Sequence, residues 1–237
     1  MGASAVYVPA VRVHTSVLAA AEKRLLVRMA SRMPARINSD HLTALGWTAM
    51  LGVAACFWQG AKHPLLLVAV LPLLGLNWYG DSLDGTLARV RREERPRYGY
   101  YVDHVLDAVG FLALVLGLIF GGWMSPVAGL SFLAAYYLLV VEIAFATHTR
   151  GTFTMSFWGV GPTEMRILLA AGALALLRSA YIAPLGHRVL LFDLGGWVAV
   201  AGLLVTFAVS AVRNGAALYR EEPRVSPNRC DLHPSQR

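Results

Sequence analysis

Long uncharged apolar runs set the first limit on this chain. Leu42 to Ala61 and Pro64 to Gly80 contain no Asp, Glu, Lys or Arg. Ala108 to Val141 contains none either, and Met124-Ser125-Pro126 divides that stretch in two. Arg166 to Ala183 is interrupted only by Arg178 near its end, and Leu194 to Val212 completes the set. Such runs approach the roughly 20 residues a helix needs to cross a bilayer. A helix also satisfies its own backbone polar groups, which hydrocarbon cannot do for an open strand. The expected fold is an all-α polytopic membrane bundle of about six transmembrane helices. Composition agrees, with 15% charged residues against about 25% in a soluble domain.

The positive residues orient the bundle. With a cytoplasmic N-terminus, the three outer loops hold only Lys62, Arg178 and Arg188, and the other 18 of the 21 Lys and Arg lie inside. That asymmetry follows the positive-inside rule. It predicts an integral multi-pass protein with both termini and the charged link after Gly80 in the cytoplasm. The net charge of +7 is read as orientation and attraction to lipid. It does not point to nucleic acid, because no interleaved basic and aromatic pattern accompanies it.

Residues 1–40 are expected to form an N-terminal cytoplasmic segment, 41–215 the six-helix transmembrane domain, and 216–237 a loose polar tail. No short apolar core of a cleavable signal peptide is found at the N-terminus. Between Val17 and Met33, the residues Leu18, Leu25, Leu26, Met29 and Met33 share one helical face, flanked by Lys23, Arg24, Arg28 and Arg32. The pattern predicts an interfacial amphipathic helix on anionic membrane lipid. Cys56 falls in a span and Cys230 in the tail, which implies neither a disulfide framework nor a zinc site. The six tryptophans are expected in interfacial belts.

Charges gather where they are costly. From Gly80 to Gly110 the sequence reads GDSLDGTLARVRREERPRYGYYVDHVLDAVG. Asp81, Asp84, Gly85 and Ala88 fall at i, i+3, i+4 and i+7, one helical stripe. Gly99, Asp103 and Asp107 form a similar stripe at i, i+4 and i+8. Pro96 prevents one helix from running through the link, so the two helices run antiparallel and their carboxylate faces meet. Four carboxylates repel one another unless cations neutralise them or protons stay bound. Oxygen-only ligands suit Mg2+ or Mn2+, and two such ions can clamp a phosphoryl centre. The small residues Gly85, Ala88 and Gly99 would let a ligand lie against the backbone, with Arg89 available to a phosphate.

This stretch resembles the signature of the CDP-alcohol phosphotransferase family. That signature is Asp, two residues, Asp-Gly, two residues, Ala-Arg, eight or nine residues, Gly, three, Asp, three, Asp. All eight fixed positions match, an agreement expected by chance at a frequency on the order of 10⁻¹⁰. The resemblance implies that Asp81, Asp84, Asp103 and Asp107 hold two divalent ions, Mg2+ or Mn2+. It makes Asp107 the base that accepts the proton of the incoming alcohol. Gly85, Ala88, Arg89 and Gly99 would bind the cytidine diphosphate portion. The implied reaction transfers a substituted phosphate from a CDP-alcohol donor to a lipid or polar alcohol acceptor, with release of CMP, in phospholipid biosynthesis. The sequence is compatible with a homodimer and does not fix the oligomeric state.

The sequence leaves the substrates open. His104 after the third aspartate, and the stretch from Glu142 to Leu169 with its Thr-His and Gly-Pro-Thr-Glu, are similar to the choline and ethanolamine phosphotransferase branch. That branch transfers to diacylglycerol but has additional C-terminal helices. The alternative is transfer from CDP-diacylglycerol to a polyol phosphate. An unperturbed His titrates near ~6.5 and a free Asp near ~3.9, which leaves room for His104 to assist Asp107 in moving the proton. Glu142, His148, Arg150, Glu164 and Arg166 admit two readings, a head-group site beside the metals or helix capping and snorkelling. Outside the family, a cation transporter would need charges near the midplane of several spans. An Asp-rich membrane prenyltransferase leaves the Gly-Ala-Arg positions unexplained, and a catalytically dead lipid-binding relative leaves the intact signature unexplained.

Overall fold

A computed structural model describes residues 11–13, 19–150, 152–154 and 161–222. Seven α-helices dominate it: α1 (Ala19–Ser31), α2 (Ser39–Gly60), α3 (Leu65–Arg91), α4 (Pro96–Phe120), α5 (Pro126–Arg150), α6 (Pro162–Arg178) and α7 (Leu191–Glu221). Two short strands, β1 (Val11–Val13) and β2 (Thr152–Thr154), pair in parallel. A two-residue antiparallel pair, β3 (Tyr181–Ile182) with β4 (Val189–Leu190), closes the turn between α6 and α7.

Local chemistry sets the helix starts. Asn38 caps α2 by accepting the His41 amide at 2.9 Å, a preferred use of an asparagine side chain. Pro96 occupies the first turn of α4 and Pro162 that of α6, where the missing N–H has no intrahelical partner to lose. The Glu164 carboxylate accepts the Gly161 amide at 2.9 Å, so Glu164 caps α6.

Five helices, α2, α3, α4, α5 and α7, are long and apolar enough to cross a bilayer, where six spans were expected. The difference is α6. Its 17 residues reach about 26 Å, the short end of what a span requires, and include Glu164, Arg166 and Arg178. It nevertheless traverses the bundle. Arg166 bonds to Asn77 on α3 at one end, while Ala173 and Leu176 share a buried cluster with Leu67 and Val70 at the other.

Close backbone contact holds the central pair, α2 and α3, together. A Cβ placed on Gly80 would lie 2.5 Å from the Gly46 nitrogen and from the Leu42 carbonyl oxygen. Gly117 of α4 approaches the Ala54 carbonyl of α2 in the same manner, at 2.4 Å for an added Cβ. Small residues at helix crossings allow this approach within a bilayer, where apolar burial between helices contributes little. Gly80→Ala is expected to destabilise the folded protein strongly, measurable as a lower unfolding temperature in detergent.

The amphipathic helix departs from its expected role in part. Leu26 and Ala30 of α1 are buried, and Met29 and Met33 pack beside them against Leu83 and Leu87 of α3. Much of the apolar face expected to meet lipid therefore covers another helix, because Leu83 and Leu87 present a matching apolar surface. Leu25 and Val27 remain exposed. Val17, Leu18, Cys230 and the end of the tail lie outside the described residues.

Candidate active site

The α3–α4 hairpin brings three of the four signature aspartates together. Carboxylate oxygens of Asp81, Asp103 and Asp107 lie within 4.8 Å of one another. Helical spacing explains the convergence: Asp103 and Asp107 stand one turn apart on α4, facing Asp81 on the antiparallel α3. Asp107 is exposed and Asp81 and Asp103 half-buried, so the cluster is accessible from outside.

Asp84 is bonded outside this group of three. Its Oδ2 accepts the Thr43 hydroxyl at 2.5 Å, and its Oδ1 accepts the amide of Gly85. Two donors satisfy the carboxylate there, whereas a position among three other carboxylates adds repulsion. The i+3 offset from Asp81 leaves it on the same side of α3 as α2, within reach of Thr43.

Arg166 joins the cluster from α6. Its Nη2 forms an ion pair with Asp81, and its Nε donates to Asn77 Oδ1 at 2.6 Å. Asn77 in turn donates to the Gly46 carbonyl at 2.9 Å. A continuous chain from α2 through α3 to α6 thus orients Asp81. Of the two readings of Arg166, the structure supports a place beside the aspartates. Glu142 and Arg150 have a different setting: Glu142 accepts from Ser210 at 2.8 Å and Asn214 at 2.7 Å, and Arg150 donates to Asn214 at 2.6 Å. These bonds tie α5 to α7.

A cavity of about 130 Å³ opens beside the cluster. Asp81, Asp103, Asp107, Asn77 and Arg166 form its polar side, while Met50, Leu106, Phe111 and Leu114 line its apolar depth. Arg166 Nη1 and Trp47 Nε1 are buried without a hydrogen-bond partner among the described residues, and both residues line this cavity. Trp47 was expected in an interfacial belt. Trp78 and Trp123 also turn inward, bonding Glu22 and the Phe57 carbonyl. Trp58 and Trp197 are exposed, as a belt requires. Trp158 lies outside the described residues.

Among the described residues, nothing packs against Gly85 or Gly99 closely enough to explain their size: a Cβ on Gly99 would meet none of them within 4 Å, and one on Gly85 would meet only the flexible Arg89 side chain, at 3.4 Å. Ala88 is half-buried, and Arg89 is exposed with its Nη2 donating to Thr86 at 3.1 Å. His104 does not line the cavity. Its ring stacks on Tyr100 and its Nδ1 lies 2.8 Å from the Tyr100 carbonyl.

Asn77, Thr43 and Tyr136 were not anticipated as lining residues. Asn77 had a readable signal: it is a polar residue in an otherwise apolar run, one turn before Asp81. Thr43 and Tyr136 carried none.

A polytopic helical membrane protein with carboxylates gathered at the meeting of two helices is the class that this fold and site define. The chain belongs to the CDP-alcohol phosphatidyltransferase family, whose model matches residues 37–217. It is accordingly a transferase of phosphorus-containing groups in a phospholipid-biosynthesis family whose chemistry is transfer from a CDP-alcohol. The match covers every signature residue but does not single out the choline and ethanolamine branch. Comparison with curated proteins finds no match. The family uses divalent metals through Asp-rich motifs, and the three convergent carboxylates fit that requirement as a hard-cation donor set.

Proposed function

We propose that the chain transfers a substituted phosphate from a CDP-alcohol to a lipid or polar alcohol, releasing CMP, with Asp81, Asp84, Asp103 and Asp107 as ligands of two divalent cations. The observation that carries this reading is the approach of Asp81, Asp103 and Asp107 from two helices to within 4.8 Å. Bound Mg2+ or Mn2+ would offset the diphosphate charge and acidify the acceptor hydroxyl. Asp84, now bonded to Thr43, would complete the ligand set. Asp107 accepts the proton of the acceptor hydroxyl from a position open to the cavity. Arg166 lines the same cavity, and its Nη1, without a partner among the described residues, suits a phosphoryl or acceptor oxygen.

The test is direct. Purified protein is offered CDP-diacylglycerol, CDP-choline and CDP-ethanolamine in turn, with a panel of acceptors and either Mg2+ or Mn2+, and CMP is measured. Release with one donor–acceptor pair supports the reading, and its absence with every pair rejects it. That assay also decides between a diacylglycerol acceptor and a polyol phosphate.

Gly85 and Gly99 serve the donor's cytidine diphosphate, together with Ala88 and Arg89. The space around both glycines supports this assignment, since no contact among the described residues demands their small size. Gly85→Ala is expected to raise the donor KM about tenfold or more while leaving the unfolding temperature near wild type, the reverse of Gly80→Ala. An unchanged KM would remove Gly85 from the nucleotide site.

His104 assists rather than replaces Asp107. A proton on Nδ1 shared with the Tyr100 carbonyl leaves Nε2 as the basic nitrogen. His104→Ala is expected to lower kcat by roughly tenfold, below the ~10²–10⁴ of a principal acid–base group, with donor KM unchanged. Wild-type turnover from pH 6 to 9 would exclude a proton-transfer role.

The active site and both termini face the cytoplasm in this reading, supported by 18 of 21 Lys and Arg on one side. Cysteine introduced at Glu94 should label only from the cytoplasmic face. Labelling from outside intact cells would invert the topology.

A further inference from the structure

The helix preceding the bundle is bonded to both elements that carry the site. A single carboxylate oxygen of Glu22 on α1 accepts Trp78 Nε1 at 2.6 Å and the Thr163 hydroxyl at 2.8 Å, with the Ser82 hydroxyl at 3.5 Å. Trp78 and Ser82 flank Asp81 on α3, and Thr163 precedes Arg166 by three residues on α6. Arg91 closes the other end of this attachment, donating to the carbonyls of Ile37, Met33 and Pro34 at 2.5, 3.1 and 2.8 Å. With Leu26 and Ala30 buried on α3, α1 cannot shift far without moving the last turns of α3.

The opposite face of α1 is cationic and open. Lys23, Arg24, Arg28 and Arg32 are exposed, as is Arg36 in the link to α2, and exposed Leu25 and Val27 lie between them. Its depth follows from helix length. The 27 residues of α3 span about 40 Å, more than the ~30 Å hydrocarbon core. The C-terminal turns that carry Leu83 and Leu87 therefore reach the headgroup layer, and α1 lies against them. Each cation near an anionic membrane surface adds attraction, and five of them on one short segment favour such a surface over a neutral one.

We propose that the outer face of α1 binds an anionic bilayer surface, and that Glu22 transmits this contact to the helices bearing Asp81 and Arg166, so that anionic lipid raises turnover. Glu22 acts as a positioning residue, at a distance from the reacting atoms. The turnover readout rests on the proposed reaction; the structural readout below does not.

The full chain is reconstituted at low ionic strength in vesicles of phosphatidylcholine alone, or with one third phosphatidylglycerol. CMP release and amide hydrogen exchange across residues 161–166 are measured in each. The wild type is expected to turn over about fivefold faster in anionic vesicles, the lower range of coupling between two sites, and to exchange more slowly across 161–166. The triple variant Lys23→Gln, Arg24→Gln, Arg28→Gln should keep neutral-vesicle turnover and lose both responses. Glu22→Ala should also lose both, whereas Glu22→Gln, which retains an acceptor oxygen, should keep most of each. Should Glu22→Ala fail to fold, Glu22→Gln and the triple variant still decide. Identical behaviour of the wild type in both vesicles, or a full response in the triple variant or Glu22→Ala, overturns the proposal. Equal stimulation by soluble inositol hexakisphosphate in neutral vesicles overturns the bilayer as partner. CMP release absent everywhere, with the exchange response intact, rejects the proposed reaction and leaves the coupling standing.

Discussion

Asp103→Asn is expected to reduce CMP release by about 10³-fold or more, a loss at the scale of a principal catalytic group, with the protein still folded. Asp103 shares the cluster with Asp81 and Asp107, and its oxygens approach those of both. The amide retains the shape of the side chain but removes one negative charge and one hard oxygen ligand. The remaining carboxylates then bind a divalent cation more weakly. Mn2+ titration followed by electron paramagnetic resonance should show this as a lower affinity in the variant, independent of turnover. Excess chelator should abolish wild-type activity, and Mg2+ or Mn2+ should restore it. Full turnover in chelator would reject the metal-dependent reading, whereas wild-type Mn2+ affinity in Asp103→Asn would remove only this residue from the ligand set.

Arg166→Gln is expected to lower kcat by about 10²–10³-fold, comparable with the loss of a single preorganised donor. Two functions leave together. Asp81 loses its ion pair across α3 and α6, and the cavity loses the N–H without a partner among the described residues. Arg166→Lys should recover only part of the activity. An ammonium can pair with Asp81 but lacks the planar fork that reaches Asn77 and the cavity simultaneously. A Lys variant with wild-type turnover would reduce the role of Arg166 to charge balance.

The two residues differ in how they were legible. Asp103 belongs to a fixed spacing on one hairpin, and local periodicity alone puts it opposite Asp81. Arg166 lies 85 residues along the chain from Asp81, and a basic residue at a predicted span end has an ordinary explanation in snorkelling. Only the packing of α6 against α3 selects between those roles. Asp84 shows the converse. Its spacing is as regular as that of its neighbours, yet its carboxylate bonds to Thr43, on a helix with no motif. The apolar face of α1 was similarly readable as a pattern, but not as a match for Leu83 and Leu87.

What the sequence determined by itself was whatever depends on period and solvent: the apolar runs, the stripe positions of the aspartates, the break at Pro96 and the charge asymmetry. Each follows from helix geometry and the cost of placing polar groups in hydrocarbon, and needs no knowledge of neighbours. What only the tertiary structure decided was partnership across distant segments. Gly46 meets Gly80 in backbone contact, Asn77 and Arg166 orient Asp81, Trp47 turns into the cavity, and Glu22 holds α1 to α3 and α6. Such pairings arise from the shapes and hydrogen-bonding needs of surfaces that meet only after the helices assemble, which no repeat along one segment encodes.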